Sequence, residues 1–280
     1  MPISLKDKVL LHARENENIR AVLLNGSRAN PLVTPDVHQD YDIVYVVDNL
    51  EEGINETTIH RVFGKPIIQQ LPDAMLLGRD EYNTSPSFAY LMIFEDYSRL
   101  DLTLYPLNKL ENYKIDSLSI VLLDKDNLFG VLPTSSDIDY HVQQPTQRDF
   151  TEVCNEFWWC ATNVAKGLAR QEIVYAKDMM ENVVRPMFLQ LLSWQVGSKN
   201  NFSVSVGKSG KYLKKYLTES AYNRMLKTYS DATISHNWEA LLAMCLYFED
   251  LQIELGQSLH LNINSKESNN SFRYITHLKN

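Results

Sequence analysis

Three groups of residues have the types and spacing to do chemistry. Gly26-Ser27-Arg28 directly follows the apolar run Ile19–Asn25. Twelve residues separate Ser27 from Asp40-Tyr41-Asp42, which opens a second apolar run, Ile43–Val47. Asp101 stands later, between Leu100 and Leu102. In a strand, residues i and i+2 point to the same face, so Asp40 and Asp42 present two carboxylates side by side. Like charges at that spacing repel unless something neutralises them. A hard divalent cation such as Mg²⁺ does so, taking oxygen ligands from one or two carboxylates plus substrate phosphates. Asp101 on a neighbouring strand completes such a cluster. Gly26-Ser27 lets backbone approach a phosphate and offers N–H groups and a hydroxyl. Arg28 adds a guanidinium. Taken singly, an Asp-x-Asp is a solvated strand face, a Gly-Ser is a turn and Asp101 is an edge residue. The conjunction is the signal.

These residues need a scaffold, and the chain texture supplies one. Short β-rich runs fill the first half: Ile19–Asn25, Asp40–Val47, Phe88–Phe94, Arg99–Tyr105 and Leu118–Leu123. Each is bounded by Gly, Pro, Asn or Asp. Leu100, Leu102 and Leu104 alternate with Asp101, Thr103 and Tyr105, giving one apolar and one polar face. Ser4 to Glu15 reads as an amphipathic helix capped by Ser4, and a shorter helix covers Asn55–Val62. After Pro145 the period turns helical, over Thr146–Arg170, Gln171–Val196, Lys211–Leu217, Glu219–Tyr229 and His236–Leu255. The expected fold is α+β, with a mixed-sheet domain over 1–145 and an all-helical domain over 146–280. A cleft between the two is the natural ligand site.

Charge and composition narrow the function. The 280 residues hold 35 acids and 27 bases, a net charge of −8. Residues 1–145 carry 22 acids against 12 bases, and the remainder 13 against 15. An acidic half suits a metal ion or a cationic substrate and disfavours nucleic acid as partner. With 44% hydrophobic residues, a disordered or collagen-like chain is excluded. No run approaches the ~18 apolar residues of a membrane span, and the N-terminus shows no signal-peptide pattern. Cys154, Cys160 and Cys245 match no zinc spacing and fit reduced core thiols of a cytoplasmic protein.

Together the motifs resemble the signature of the nucleotidyltransferase superfamily with the polymerase-β-like catalytic fold. The likeness extends to the aminoglycoside 6-adenylyltransferase (streptomycin adenylyltransferase) family. It is carried by Leu24–Pro31, Gln39–Ile43, Phe94-Glu95-Asp96, Leu100–Leu104, Val121–Asp126, Cys154–Trp158, Lys166–Arg170 and Val184-Arg185-Pro186. It covers nearly the whole chain and weakens after about residue 256. The resemblance implies transfer of AMP from ATP to a hydroxyl of a streptomycin-like antibiotic, with release of pyrophosphate and antibiotic resistance as the outcome. It implies metal binding by Asp40, Asp42 and Asp101, with two Mg²⁺ ions, and a phosphate-contacting turn at Gly26, Ser27 and Arg28. The alternatives are the same chemistry on another small-molecule or protein hydroxyl, and a non-catalytic, antitoxin-like protein of the same fold. The second is disfavoured because all three acids are present.

The helical half adds two features. Glu172, Tyr175, Asp178, Glu181 or Asn182, and Arg185 recur at i+3 or i+4, forming a polar stripe. It is either a solvated face or a wall of the cleft. Asp178 and Glu95 are the candidate general bases, and Arg185 a candidate ATP contact. Arg185-Pro186 falls inside the helical pattern, where a kink is expected. The basic run Lys199–Lys227 sets seven Lys and Arg against Glu219 alone. Gly207-Lys208-Ser209 is not a P-loop, because Phe202 stands where that motif needs glycine. Lys208 and Lys211 are read instead as a flank for the β- and γ-phosphates of ATP.

Overall fold

Alternating burial builds the first part of the chain into a sheet with two unequal faces. In the computed structural model, which describes residues 3–77 and 86–280, helix α1 (Leu5–Glu15) is capped by Ser4, whose hydroxyl accepts the Asp7 N–H. Strands β1 (Ile19–Asn25) and β2 (Tyr41–Val47) follow. Short helices α2 (Leu50–Gly53) and α3 (Glu56–Phe63) come next. Strands β3 (Ile68–Gln70), β4 (Phe88–Ile93), β5 (Arg99–Pro106) and β6 (Ser119–Asp124) complete a six-stranded sheet in the order β3-β4-β5-β2-β1-β6. The β2–β5 pair is parallel and the other neighbours are antiparallel, so the sheet is mixed.

One face carries Val22, Leu24, Ile43, Tyr45, Leu100 and Leu102, packed against Val9 and Ala13 of α1 and Ile59 and Phe63 of α3. The opposite face carries a smaller core of Ala21, Leu23, Val44, Val46 and Tyr105. On that second face the apolar rows run out into Asn25, Asp42 and Asp101, two residues along from Leu23, Val44 and Thr103. The sheet therefore ends in polar side chains on the face with less cover.

The chain divides into two compact units, the first ending at Asp139 and the second Tyr140–Asn280. In the described residues the second is entirely helical. Its helices are α4 (Gln147–Ala169), α5 (Ile173–Met179), α6 (Arg185–Lys199), α7 (Leu213–Tyr216), α8 (Glu219–Leu226), α9 (Ile234–Leu259) and α10 (Ser265–Lys279). Thr146 and Asp149 form a capping box that starts α4. Phe157 stacks on Phe248, and Trp158 donates its indole N–H to Gln252 Oε1 at 3.1 Å. Trp159, its neighbour, is exposed. The three cysteines are free and buried. Burial pushes the Cys154 thiol up to about 12 and that of Cys160 up to about 11.

The single helix expected over Gln171–Val196 is three segments. A π-helical turn, Met180–Val184, joins α5 to α6, and the Arg185 N–H reaches back to the Met180 carbonyl. Pro186 lacks an N–H, and its ring would meet a carbonyl one turn back in a regular helix. The wider turn absorbs that conflict where a kink was expected.

Candidate active site

The polar end of the sheet forms a row across four strands. Ser119 of β6 pairs in register with Asn25 of β1, Asn25 with Asp42 of β2, and Asp42 with Asp101 of β5. Alternation sets the four on the face of the smaller core. Ser119 Oγ donates to Asn25 Oδ1 at 2.8 Å. Asp40, just before β2, joins the row through a residue that spacing arguments passed over, Arg99. Its Nε and Nη2 donate to the two carboxylate oxygens of Asp101 at 2.8 and 2.7 Å. The same Nε lies 3.5 Å from Asp40 Oδ2. The hydrogen bonds to Asp101, then the charges of Asp101, Asp40 and Asp42, raise the Arg99 pKa. The i, i+2 rule that paired Asp40 with Asp42 also pairs Arg99 with Asp101, and applying it there would have found this residue.

Gly26 and Arg28 hold the row in place from the β1–β2 connection. Gly26 has φ +71°, and a Cβ on it would run into Asp42 Oδ2. Glycine is required there for both reasons. It opens a 3₁₀ turn, Gly26–Ala29. Its N–H donates to the Leu118 carbonyl at 3.1 Å, so this amide is not the phosphate donor that the sequence suggested. Arg28 donates from Nε to the Asp40 carbonyl at 2.9 Å and from Nη2 to that of Gln39 at 2.7 Å. Its guanidinium lies 3.8 Å from the Tyr41 ring centroid. The Ser27 carbonyl accepts from Gln39 Nε2 at 3.4 Å. Arg28 thus fixes the backbone that carries Asp40 and Asp42, a positioning role in place of the free phosphate-facing guanidinium expected.

Among the described residues, no group of three or more His, Cys, Asp or Glu side chains closes around one ion position. The donor set nevertheless suits Mg²⁺: hard carboxylate oxygens from adjacent strands, with phosphate oxygens of a substrate able to complete the shell. Glu95 is not brought to the row. It sits in the β4–β5 turn and lines a cavity with Leu5, Lys8, Phe63 and Lys65. Leu5 and Phe63 belong to the helix-covered face of the sheet, whereas Asp101 faces the other way.

Residues 4–278 match the family described as streptomycin adenylyltransferase. The chain belongs to this family. It is 39% identical over 254 residues to the aminoglycoside 6-adenylyltransferase of Campylobacter jejuni, covering 90% of this chain and 87% of that protein. The aminoglycoside 6-adenylyltransferase of Bacillus subtilis (strain 168) is 37% identical over 257 residues, 91% of this chain and 90% of that protein. That of Staphylococcus aureus is 34% identical over 239 residues, 85% and 84% of the two chains. The crystal structure of an aminoglycoside 6-adenyltransferase from Bacillus subtilis aligns over 98% of this chain and 97% of that one, with 32% identity and a TM-score of 0.49. Family membership makes this an adenylyltransferase, and ATP its implied co-substrate.

In this family member the helical stripe divides into dissimilar parts. Arg185 is buried, 5% exposed. It donates from Nε and Nη2 to the two oxygens of Glu181, from Nη1 to Thr228 Oγ1 and from Nη2 to the Thr228 carbonyl. Its guanidinium also covers the Tyr229 ring, 3.6 Å from the centroid. Burial raises the Glu181 pKa, but hydrogen bonds and charge from Arg185, then Lys177, outweigh it and leave that pKa lowered. Arg185 is thus committed to protein partners, which corrects its reading as an open ATP contact. Asp178 is exposed and accepts from Asn182 Nδ2 at 2.7 Å. Lys208 and Lys211 are exposed too. Next to them in the chain, Gly207, Ser209 and Gly210 have φ of +70°, +55° and +75° and line a cavity of about 500 Å³ with Glu181, Arg185 and Tyr229.

Proposed function

We propose that this chain transfers AMP from ATP to the 6-hydroxyl of a streptomycin-like aminoglycoside, releasing pyrophosphate and inactivating the antibiotic. The observation that carries this reading is the family match over residues 4–278, which includes the carboxylate row. Asp40, Asp42 and Asp101 would hold Mg²⁺, which when bound shields the triphosphate and lowers the pKa of the acceptor hydroxyl. Gly26 lets the turn close on Asp42, and Arg28 fixes Asp40 by its backbone. Direct in-line transfer suits this set. The acceptor oxygen bonds to the α-phosphorus, the bond to the bridging oxygen breaks, and the hydroxyl proton passes to a carboxylate. Of the two proposed bases Asp178 is preferred, because Glu95, exposed like Asp178, lines a cavity on the helix-covered side of its own sheet, away from the carboxylate row. Lys208 and Lys211 supply positive charge for the departing pyrophosphate.

The acceptor's guanidinium groups stay protonated at neutral pH. The excess of acids in residues 1–145 attracts such a substrate. No helix among the described residues is long and apolar enough to cross a membrane. Dependence on ATP is in keeping with action in the cytoplasm.

Incubation with ATP, Mg²⁺ and a panel of aminoglycosides, followed by mass spectrometry, tests the reading. One adenylyl group on streptomycin and pyrophosphate in equal amount are expected. ATP turnover only with an unrelated hydroxyl acceptor would move the protein to another substrate class.

A further inference from the structure

A cavity of about 690 Å³ lies wholly within the first unit, beside the polar row. Val33, Pro35, Ile120, Val121, Leu132 and Pro133 are its apolar walls. Ser119, at the end of the row, lines it too, and so does Arg28 from the turn. Its volume falls in the range of roughly 300–1,000 Å³ usual for small-molecule sites. We infer that this cavity takes the adenine and ribose of ATP, an assignment that rests on the adenylyl-transfer reading above.

Three observations carry it. The first is distance. Ser119 is two strands from Asp42 in a register that runs Ser119–Asn25–Asp42. Two strand spacings amount to roughly 10 Å. The α-phosphorus of ATP is separated from its base by the ribose, a span of that order. A triphosphate at the carboxylates therefore leaves the nucleoside within reach of the cavity on the same face. The second is charge. The cavity lining contains no aspartate or glutamate. A polycationic aminoglycoside would be desolvated there without a carboxylate partner, which is costly. A flat, uncharged purine suits walls of proline, valine and leucine. The third is a polar handle. Asn30 is nine-tenths buried and lines the cavity. Its Oδ1 accepts the Leu32 N–H at 2.9 Å, and its Nδ2 has no hydrogen-bond partner among the described residues. An amide donor of this kind matches a ring-nitrogen acceptor of adenine.

The experiment is photolabelling of the wild-type protein with 2-azido-ATP and Mg²⁺, followed by peptide mapping. Labelling is expected within residues 29–35 or 119–135, abolished by excess ATP and unaffected by excess streptomycin. Protection by streptomycin, or ATP-sensitive labelling elsewhere, overturns the assignment. In either case, if the unlabelled enzyme still adenylates streptomycin, the functional reading stands and only this inference fails. Absence of any ATP-sensitive labelling, together with absence of transfer, overturns both. In parallel, Leu132→Trp fills the cavity from a partly exposed loop position. It should raise KM for ATP at least tenfold and leave KM for streptomycin within twofold. A rise in the antibiotic's KM alone would assign the cavity to the acceptor. A circular dichroism melt matching wild type guards against misfolding.

Discussion

Arg185 and Arg99 both meet carboxylates, and the terms on which they do so differ. Arg185 is sealed inside the helical unit with one carboxylate, Glu181, and its donors are matched by Glu181 and Thr228. Arg99, with 41% of its side chain exposed, is one guanidinium among three carboxylates, Asp40, Asp42 and Asp101. In the first cluster two cations, Arg185 and Lys177, share one partly exposed carboxylate and the Arg185 donors are spent on protein, so no negative charge is left over to call for a cation. In the second, negative charge exceeds positive at an open sheet end. Repulsion left within a native structure is a cost, and it is relieved when a cation arrives. Stoichiometry and exposure, rather than the presence of charged residues, separate a ligand site from a structural brace.

The comparison breaks most visibly at Asp42. Asp42→Asn removes one carboxylate from a repelling set and should leave the fold intact. Transfer should fall by about a thousandfold, the scale on which one stabiliser of transition-state charge acts. Turnover within tenfold of wild type, with an unchanged melt, would take Asp42 out of the metal site.

At Arg185 the expectation is reversed: stability suffers and catalysis per folded molecule does not. Arg185→Met leaves Glu181, which is 31% exposed, with Lys177 at 3.6 Å as its remaining cation. The loss should be about 2–3 kcal/mol, less than the roughly 3–5 kcal/mol of a fully buried pair. Urea unfolding measures it, while KM for ATP at low temperature should stay within twofold. A large rise in that KM would restore Arg185 to the nucleotide site. The pH dependence carries the same signature. The Glu181 pKa is lowered from 4.5, so its contribution to stability is complete above about pH 4.5 and is lost as pH falls through the lower, folded value. In Arg185→Met that component of acid sensitivity should shrink, because Lys177 alone is left to lower the Glu181 pKa against burial.

These outcomes also mark what the sequence could disclose. Strands β1, β2, β4, β5 and β6 announced themselves because their buried faces alternate with punctuated ends. β3 is three residues long with an exposed first residue, too short for any period to register. The Asp-x-Asp and Asp101 were legible as residue types, and their pairing followed once β2 and β5 were neighbours. The Ser119–Asn25–Asp42 register was not legible, since it depends on strand order and not on local pattern. The Glu181–Arg185 pair was legible as i, i+4 spacing, but its burial depends on Thr228 and Tyr229, more than forty residues away. Helical spacing alone cannot tell a closed brace from an open cleft wall.

The basic turn of the helical unit offers an intermediate test. Lys208 and Lys211 are exposed, so a solubility role competes with a phosphate role. Replacing both with Ala should raise KM for ATP by about tenfold, from charge-assisted contacts worth about 1 kcal/mol each less solvent screening. The antibiotic's KM should not follow. An unchanged KM for ATP would return both lysines to the solvated surface.

The smallest expected effect concerns the feature that the two clusters share, an arginine on carboxylates. If Arg99 is a stand-in counter-charge at a cation site, it competes with the cation. Arg99→Gln then keeps a hydrogen bond to Asp101 and removes the positive charge. The affinity for Mg²⁺ alone, measured by calorimetry without ATP, should rise about fivefold, the worth of roughly 1 kcal/mol between partly exposed charges. If Arg99 is instead a brace like Arg185, its loss should splay Asp101 and Asp40. Mg²⁺ affinity should then fall and stability should fall with it. The two readings predict opposite signs for one binding constant, so even a small change decides whether Arg99 belongs with the open cluster or the closed one.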